Sequence, residues 1–499
     1  MGLEDLRKTR IEKLELLKKA GVNPYPAKSV FKLSEISELR KNFRKLASAR
    51  KKIALAGRVM AKRGHGGIFF VDLFDGSYVL TTSGLSVASD NSKLQVFFAK
   101  DKIGDKSFEF FSESVDVGDF IAVEGKAFYT KKKEATIEVS NWEILTKSLL
   151  PLPEKWHGLS DKEETLRKRY LDILFNSETR EMIQKKALFW SAVREFHLKH
   201  GFLEVETPAL EVTTGGADAR PFETHHNALD IDVYLRISAG ELWQKRLMVS
   251  GLKKTFEIGR IFRNEGMSAE HLQDYTQCEA YWAYANFEDM YKFLQECYRF
   301  VAKRTFGTLK FKISDFNVDL GKKWPLVDYT DEIKKQTGID IWNSTATEMG
   351  KELNNLNIEY DVSNRLRMID ALWKYCRKNI GGPAILINEP KAMSPLAKSS
   401  PKNPKITERF HFLIAGSEMG QGYSELNDPI DQRERFAAQQ KLRDAGDAEA
   451  QMADFDFVEA LEYGMPPTAG HGFSERLFSF LINKPVREAQ IFPLMRPKE

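Results

Sequence analysis

The stretch FRNEGMSAEHLQDYTQCEAY, Phe262 to Tyr281, sets an arginine, several carboxylates and two tyrosines within one short segment. Residues two apart on a β-strand share a face, so a strand reading pairs Arg263 with Glu265 and Glu279 with Tyr281. The Gly266-Met267-Ser268 region supplies a turn. The segment therefore predicts a β-hairpin presenting a cation, carboxylates and rings to one side. Taken alone, an Arg–Glu pair on a strand is ordinarily a cross-strand ion pair. An arginine facing a cleft is suited instead to gripping phosphate or carboxylate as a fork, and His271 and Tyr275 would then close over a nucleotide.

Two further stretches extend this reading. In GQGYSELND, Gln421, Tyr423 and Glu425 alternate on one predicted strand face. With Glu241, Glu279 and Tyr281 they would form a pocket for a ligand with an apolar stem and a cationic tip. Carboxylates crowded together repel, so they imply a cation, either ligand or metal. In GHGFSER, Gly470 and Gly472 would let a flat base approach the backbone, and Arg476 would begin a helix. A glycine loop of the G-x-x-x-x-G-K-[ST] kind is absent.

The 499 residues suit roughly two to four domains, and 42% hydrophobic with 29% charged residues is ordinary for a soluble globular chain. A net charge of +4 permits a nucleic-acid partner without demanding one. Cys278, Cys297 and Cys376 form no CxxC, which excludes a disulfide scaffold and a Cys-rich zinc site and suits a reducing cytoplasm. No apolar run is long enough to span a membrane, and the charged first twenty residues do not read as a secretory signal.

LEDLRKTRIEKLELLKKAG predicts a basic amphipathic helix with a solvated charged face, and a second helical pattern runs near Leu33 to Ala47. Between Ile53 and Leu145 five short runs rich in Val, Ile and Phe predict a small barrel of the oligonucleotide-binding type. The stretch from Gly76 to Ser92 reads as an insertion, and LLPLPEKWHG as a linker. His225-His226 reads as a turn or hydrogen-bonding pair rather than a metal site, and Lys131-Lys132-Lys133 as a solubilising hairpin tip. The expected organisation is a basic helical extension at 1–50, a barrel at 51–148, a linker at 149–169 and an α+β domain at 170–499.

GFLEVETPAL, FRNEG…HLQDYTQCEAY and GHGFSERL stand in the order of motifs 1, 2 and 3 of the class II aminoacyl-tRNA synthetases, which the chain resembles. GGADARPFETHHNALDIDVYLRI, ELWQKRL, SPLAK, TERF, SELND and LTKSLLPLPEKWHGLSDKE are similar to the lysyl-tRNA synthetase family within that class. The resemblance spans the chain apart from residues 76–92. It implies an α+β multidomain fold: an N-terminal OB-fold barrel binding the anticodon, then a class II catalytic domain on an antiparallel sheet with flanking helices. It also implies a cytoplasmic homodimer joined through motif 1 at Pro208. The implied reaction makes lysyl-adenylate from L-lysine and ATP, with Mg2+, then lysyl-tRNA(Lys).

By the same resemblance Arg263 holds the α-phosphate and the lysine carboxylate. Glu265, His271, Tyr275 and Arg476 hold ATP. Glu241 and Gly216 take the α-amine, Glu425 and Tyr281 with Glu279 the ε-ammonium, and Tyr423 covers the stem. Arg58, Phe70, Gln95 and Glu134 would read the anticodon. Glu418 is the surviving metal carboxylate, since His411 stands where a magnesium-binding Glu is expected and imidazole suits magnesium poorly. Gln421 replaces a usual Asn, Tyr423 a Phe and Ser474 a Gly, and RISAGEL is one residue longer before Glu241. Alternative readings are a sister synthetase of the asparagine/aspartate group and a catalytically weakened RNA-binding protein.

Overall fold

The five Val-, Ile- and Phe-rich runs form β1 (Lys52–His65), β2 (Ile68–Phe74), β5 (Lys93–Ala99), β6 (Phe120–Tyr129) and β7 (Ala135–Thr146), closing a barrel in the order β1-β2-β5-β7-β6. A small hairpin of β3 (Val79–Thr81) and β4 (Gly84–Ser86) lies within the insertion. This computed structural model describes the chain except residues 1, 78, 82–83, 87–91, 154–160, 218, 267, 361–363, 445–451 and 499. Parts of the expected insertion and linker, and the turn residue Met267, therefore lie outside the described residues. The chain divides into two compact units, Met1–Gln184 and Lys185–Glu499.

Alternation explains the barrel. Leu55, Val71, Leu73, Val96 and Ile121 point inward and are fully buried, as period-two patterning requires. Phe98 stacks on Phe111 of helix Asp105–Ser114 with ring centroids 4.0 Å apart, plugging the core. The N-terminal helix, Leu3–Lys19, packs through Leu14 and Leu17. Its charged side is not wholly solvated as expected. Arg10 is buried and donates to the carbonyls of Val117 and Ser148, and Lys13 pairs with Asp116.

In the second unit an eight-stranded sheet runs β16-β17-β18-β19-β20-β13-β12-β8. Its strands are β8 (Leu203–Glu204), β12 (Lys254–Phe262), β13 (Asp274–Ala283), β16 (Leu326–Asp328), β17 (Ala384–Ile387), β18 (Arg409–Ile414), β19 (Ser417–Ser424) and β20 (Thr468–Ser474). The six central strands are antiparallel, and only the edge strands β8 and β16 pair in parallel. Smaller sheets are made by β9 (Leu210–Glu211) with β10 (Glu223–His226) and β11 (Ile231–Leu235), and by β14 (Lys310–Ile313) with β15 (Phe316–Asp319). The expected antiparallel platform is thus present.

Helix Phe287–Phe306 covers one face, burying Met290, Leu294, Cys297, Tyr298 and Val301 at helical spacing. Asn286 caps its start and Gly307, at φ 71°, ends it. Helices Tyr329–Thr337, Ala346–Asn355 and Arg365–Arg377 gather around Tyr329, Leu372 and Trp373 beside the β17 end of the sheet.

One buried charge organises the end of the barrel. Lys147 has no exposed side chain and lies 2.6 Å from Asp116 and 2.8 Å from Asp119, while donating to the Ser114 carbonyl. Replacing Lys147 with Met would strand the Asp119 charge in the interior. The expected result is a loss of about 3–5 kcal/mol, read as an earlier barrel transition in urea followed by tryptophan fluorescence.

Candidate functional site

Two groups of side chains meet on the sheet of the second unit, one acidic and one basic. The acidic group starts with the turn before helix Glu241–Val249. Gly240, at φ 77°, brings the chain into the helix beside Thr207, where a side chain would collide. The Ala239 amide donates to Glu279 Oε1 at 2.9 Å, joining this turn to β13. On β13, Tyr281 donates to Glu279 Oε2 at 3.2 Å and Gln277 to Oε1 at 2.6 Å. From the end of β19, Tyr423 donates to Glu241, and Glu425 lies just past the last strand residue. Lys245, one turn after Glu241, completes the cluster at 2.7 Å from Glu241 and 2.6 Å from Glu425.

The glycines explain how these groups come so close. A side chain on Gly470 would run into Glu425 and the Tyr281 ring, and one on Gly472 would press on Glu279 at 3.3 Å. On this side the missing side chains leave room for pocket residues of the neighbouring strands, most tightly at Gly470. Gly216, at φ 88°, likewise sits against Glu241, with a would-be Cβ 2.9 Å from Oε2.

The basic group lies at the open end of the β12–β13 hairpin. Arg263 and Glu265 are not on the strand as the sequence suggested. Pairing ends at Phe262–Asp274, the Arg263 amide makes a last bond to the Gln273 carbonyl, and the Asn264 amide turns away to Arg220. Arg263, Glu265, His271, Tyr275 and Arg476 nonetheless line one cavity. The Arg263 guanidinium lies over the Tyr275 ring and donates to the Ile237 carbonyl, two residues before Ala239. Arg476, the first residue of helix Arg476–Leu481, pairs with Glu270 of the loop, and Ser417 joins both. Sequence reasoning missed Glu270, Ser417 and Lys245. Only the acidic and basic character of the loop and helix hinted at them.

Gln421, in register with Gly472 and through it with Glu279, accepts a hydrogen bond from Arg409. His411 is wedged between two carboxylates, its Nε2 3.4 Å from Glu389 and its Nδ1 3.5 Å from Glu418. Trp373 donates to the other Glu418 oxygen at 2.7 Å. Burial disfavours the charged ring, but Glu418 and Glu389 outweigh it and raise the His411 pKa. Burial would likewise raise the Glu418 pKa, yet His411 and further donors hold it far below the usual carboxylate range. An oxygen-seeking cation such as Mg2+ finds a basic imidazole here and a carboxylate already bonded on both sides. The His411–Glu418 pair does not fit a magnesium ion, and no group of three such ligands occurs among the described residues.

In the first unit, Phe70, Gln95 and Glu134 line a groove of about 950 Å3, together with Arg63, Lys93, Lys131 and Lys132. The lysines expected to be only a solubilising tip therefore contribute a basic rim. Arg58 does not line this groove; its guanidinium stacks 4.3 Å from the Phe120 ring centroid. His225 bonds Asp232 at 2.9 Å, in keeping with a hydrogen-bonding role.

Residues 161–496 match the family model of class II tRNA synthetases (D, K and N), and residues 53–145 match that of the OB-fold nucleic acid binding domain. A protein of Fervidobacterium nodosum named lysine–tRNA ligase is 43% identical over 99% of this chain and 95% of its own. One of that name from Thermosipho africanus is 41% identical over 99% and 97%. Another, from Moorella thermoacetica, is 42% identical over 99% and 98%.

The acidic cluster carries its own prediction. Burial, then the Glu241 charge, pushes the Glu279 carboxyl up to about 8. Burial pushes Glu425 up to about 8 as well, with Lys245 opposing it. The folded pocket thus keeps protons that the unfolded chain releases in the ordinary carboxylate range. The stability this contributes is present at acid pH and is lost as pH rises through about 8. An alkylammonium ligand favours the ionised carboxylates and must expel protons. Calorimetry in buffers of differing ionisation enthalpy should record proton release on binding near pH 7, fading well above pH 8; no pH-dependent release would contradict the raised values.

Proposed function

The chain belongs to the lysine–tRNA ligase family of class II aminoacyl-tRNA synthetases, and from that premise we propose that it activates L-lysine with ATP and transfers it to tRNA(Lys). One observation carries this reading. A buried cluster of three carboxylates and two tyrosines is joined, through the turn Ile237–Ala239, to a cavity lined by Arg263 and Arg476. A ligand fitting both must carry ammonium groups at one end and meet phosphate at the other.

The lysine enters with its ε-ammonium toward Glu425 and Tyr281, supported by Glu279, and its stem along Tyr423. Its α-ammonium faces Glu241 and the backbone of Gly216, and Gln421 lies toward the carboxylate. Arg263 bridges that carboxylate and the α-phosphate of ATP, while Glu265, His271 and Tyr275 hold the nucleotide. Arg476 takes the γ-phosphate, which must displace Glu270 from it. A lysine carboxylate oxygen attacks the α-phosphorus in line, the bond to the bridging oxygen breaks, and pyrophosphate leaves with that electron pair. The 3′-terminal hydroxyl of the tRNA then attacks the lysyl carbonyl and AMP departs. No protein nucleophile is needed: catalysis is positioning plus stabilisation of developing charge. Mg2+ belongs with ATP as part of the substrate.

We assign residues 51–148 to anticodon binding, 170–499 to catalysis, 1–50 to a helical extension and 149–169 to a linker. Phe70 would stack a base and Gln95 and Glu134 would read base edges, with the basic rim of their groove attracting phosphate. Exposed Leu203, Leu210 and Val212 around Pro208 support a homodimer face. Three buried free cysteines suit the cytoplasm. Among the described residues no helix is long and apolar enough to cross a membrane.

ATP–pyrophosphate exchange with each of the twenty amino acids tests this. Exchange with lysine alone is expected, and Arg263→Ala should slow it about 10²–10³-fold. Exchange with aspartate or asparagine would transfer the reading to the sister synthetases, and tRNA binding without exchange to an RNA-binding protein. Phe70→Ala should leave lysine-dependent exchange intact while weakening tRNA binding by about 1–3 kcal/mol, measured as the KM for tRNA in aminoacylation.

A further inference from the structure

Lys245 is a charged side chain where none is needed for solubility. It is 1% exposed and comes from the protein side of the pocket, among the rings of Tyr423 and Phe457. Its helix, Glu241–Val249, contributes Leu242 and Met248 to the same apolar cluster, alongside Phe457 and Leu461. A lysine placed there is strongly disfavoured unless opposite charges meet it. Two do, and both belong to the acidic pocket.

The contacts divide each carboxylate in two. Lys245 lies against Glu241 Oε1 and Glu425 Oε2, at 2.7 and 2.6 Å. Glu241 Oε1 accepts from Lys245 and Tyr423 and its Oε2 faces Gly216, while Glu425 Oε2 meets Lys245 as an ion pair without a hydrogen bond and its Oε1 faces Gly470. Each glutamate is thus anchored by one oxygen and leaves the other toward a backbone that carries no side chain. When ionised, Glu241, Glu279 and Glu425 bring three negative charges, and Lys245 offsets one. Two remain, which equals the number of ammonium groups on free lysine; the substrate carboxylate is left to Arg263.

We propose that Lys245 is a positioning residue that sets the charge of the pocket, anchoring Glu241 and Glu425 so that their second oxygens receive the two ammonium groups of a diamino acid. Without it the carboxylates would be pressed together with no internal cation, and would keep their protons to higher pH. The pocket would then offer hydroxyl-bearing carboxyls to an ammonium and lose affinity and selectivity. Lys245 does not touch the reacting atoms; it acts through the two glutamates. This inference rests on reading the pocket as the lysine site.

The test is pyrophosphate exchange by the full-length protein and its Lys245→Met, Lys245→Gln and Lys245→Arg variants, between about pH 6.5 and about pH 9. The neutral variants should raise the KM for lysine about 100-fold near neutral pH, with the loss shrinking several-fold as pH rises, and leave the KM for ATP within about threefold. Lys245→Arg, which keeps the charge, should recover most of the affinity. The proposal is overturned if a neutral variant keeps the wild-type lysine KM, or if the loss is equal across pH or shared with ATP. It is overturned too if neither neutral variant folds while Lys245→Arg does, since the charge would then serve the fold alone. Wild-type protein lacking lysine-dependent exchange would remove the lysine-site reading itself.

Discussion

Three glutamates cannot be buried side by side in charged form unless something positive lies among them. That constraint shapes the catalytic unit. Glu241, Glu279 and Glu425 arrive from a helix start, a central strand and a strand end, and all are nearly inaccessible to solvent. Lys245 balances part of the charge, while protons retained on Glu279 and Glu425 balance more until a ligand replaces them. Lys245 and the retained protons together let three carboxyl groups share one buried space.

The sheet makes that crowding possible. β20 runs between β13 and β19, and its glycines lack the side chains that would separate Glu279 and Tyr281 from Glu425. The two walls close across a strand that contributes almost nothing but backbone. The tyrosines then satisfy the carboxylates they lie against, since a buried hydroxyl needs a partner as much as a carboxylate does.

At the cavity of Arg263 and Arg476 the charges are inverted and looser. Arg476 is largely buried, which lowers its pKa to about 10 yet leaves it charged, and it borrows Glu270 as a partner. A phosphate can take that place because it offers the same fork of oxygens with more charge. The neighbouring His411 shows the opposite solution. There an imidazole, its pKa raised by the adjoining carboxylates, stands between Glu389 and Glu418.

Local pattern alone located the five barrel strands, the glycine strand running into a helix at Arg476, and the motif order that marks the family. These depend on periodicity and turn chemistry, which are properties of adjacent residues. Period-two alternation also put Glu279 and Tyr281 on one face of a strand, where they bond. What only the tertiary structure decided were contacts between distant segments. The hairpin ends one residue before Arg263, the glycines of β20 make room for carboxylates from both neighbouring strands, and Arg58 faces Phe120 instead of the groove of Phe70. Lys245 is the clearest case. In ELWQKRL it reads as one more basic residue on a helix, and its meaning depends on Glu425, which lies 180 residues away in sequence and 2.6 Å away in space. Pairing energies act through distance in the fold, and a linear pattern carries no information about that distance.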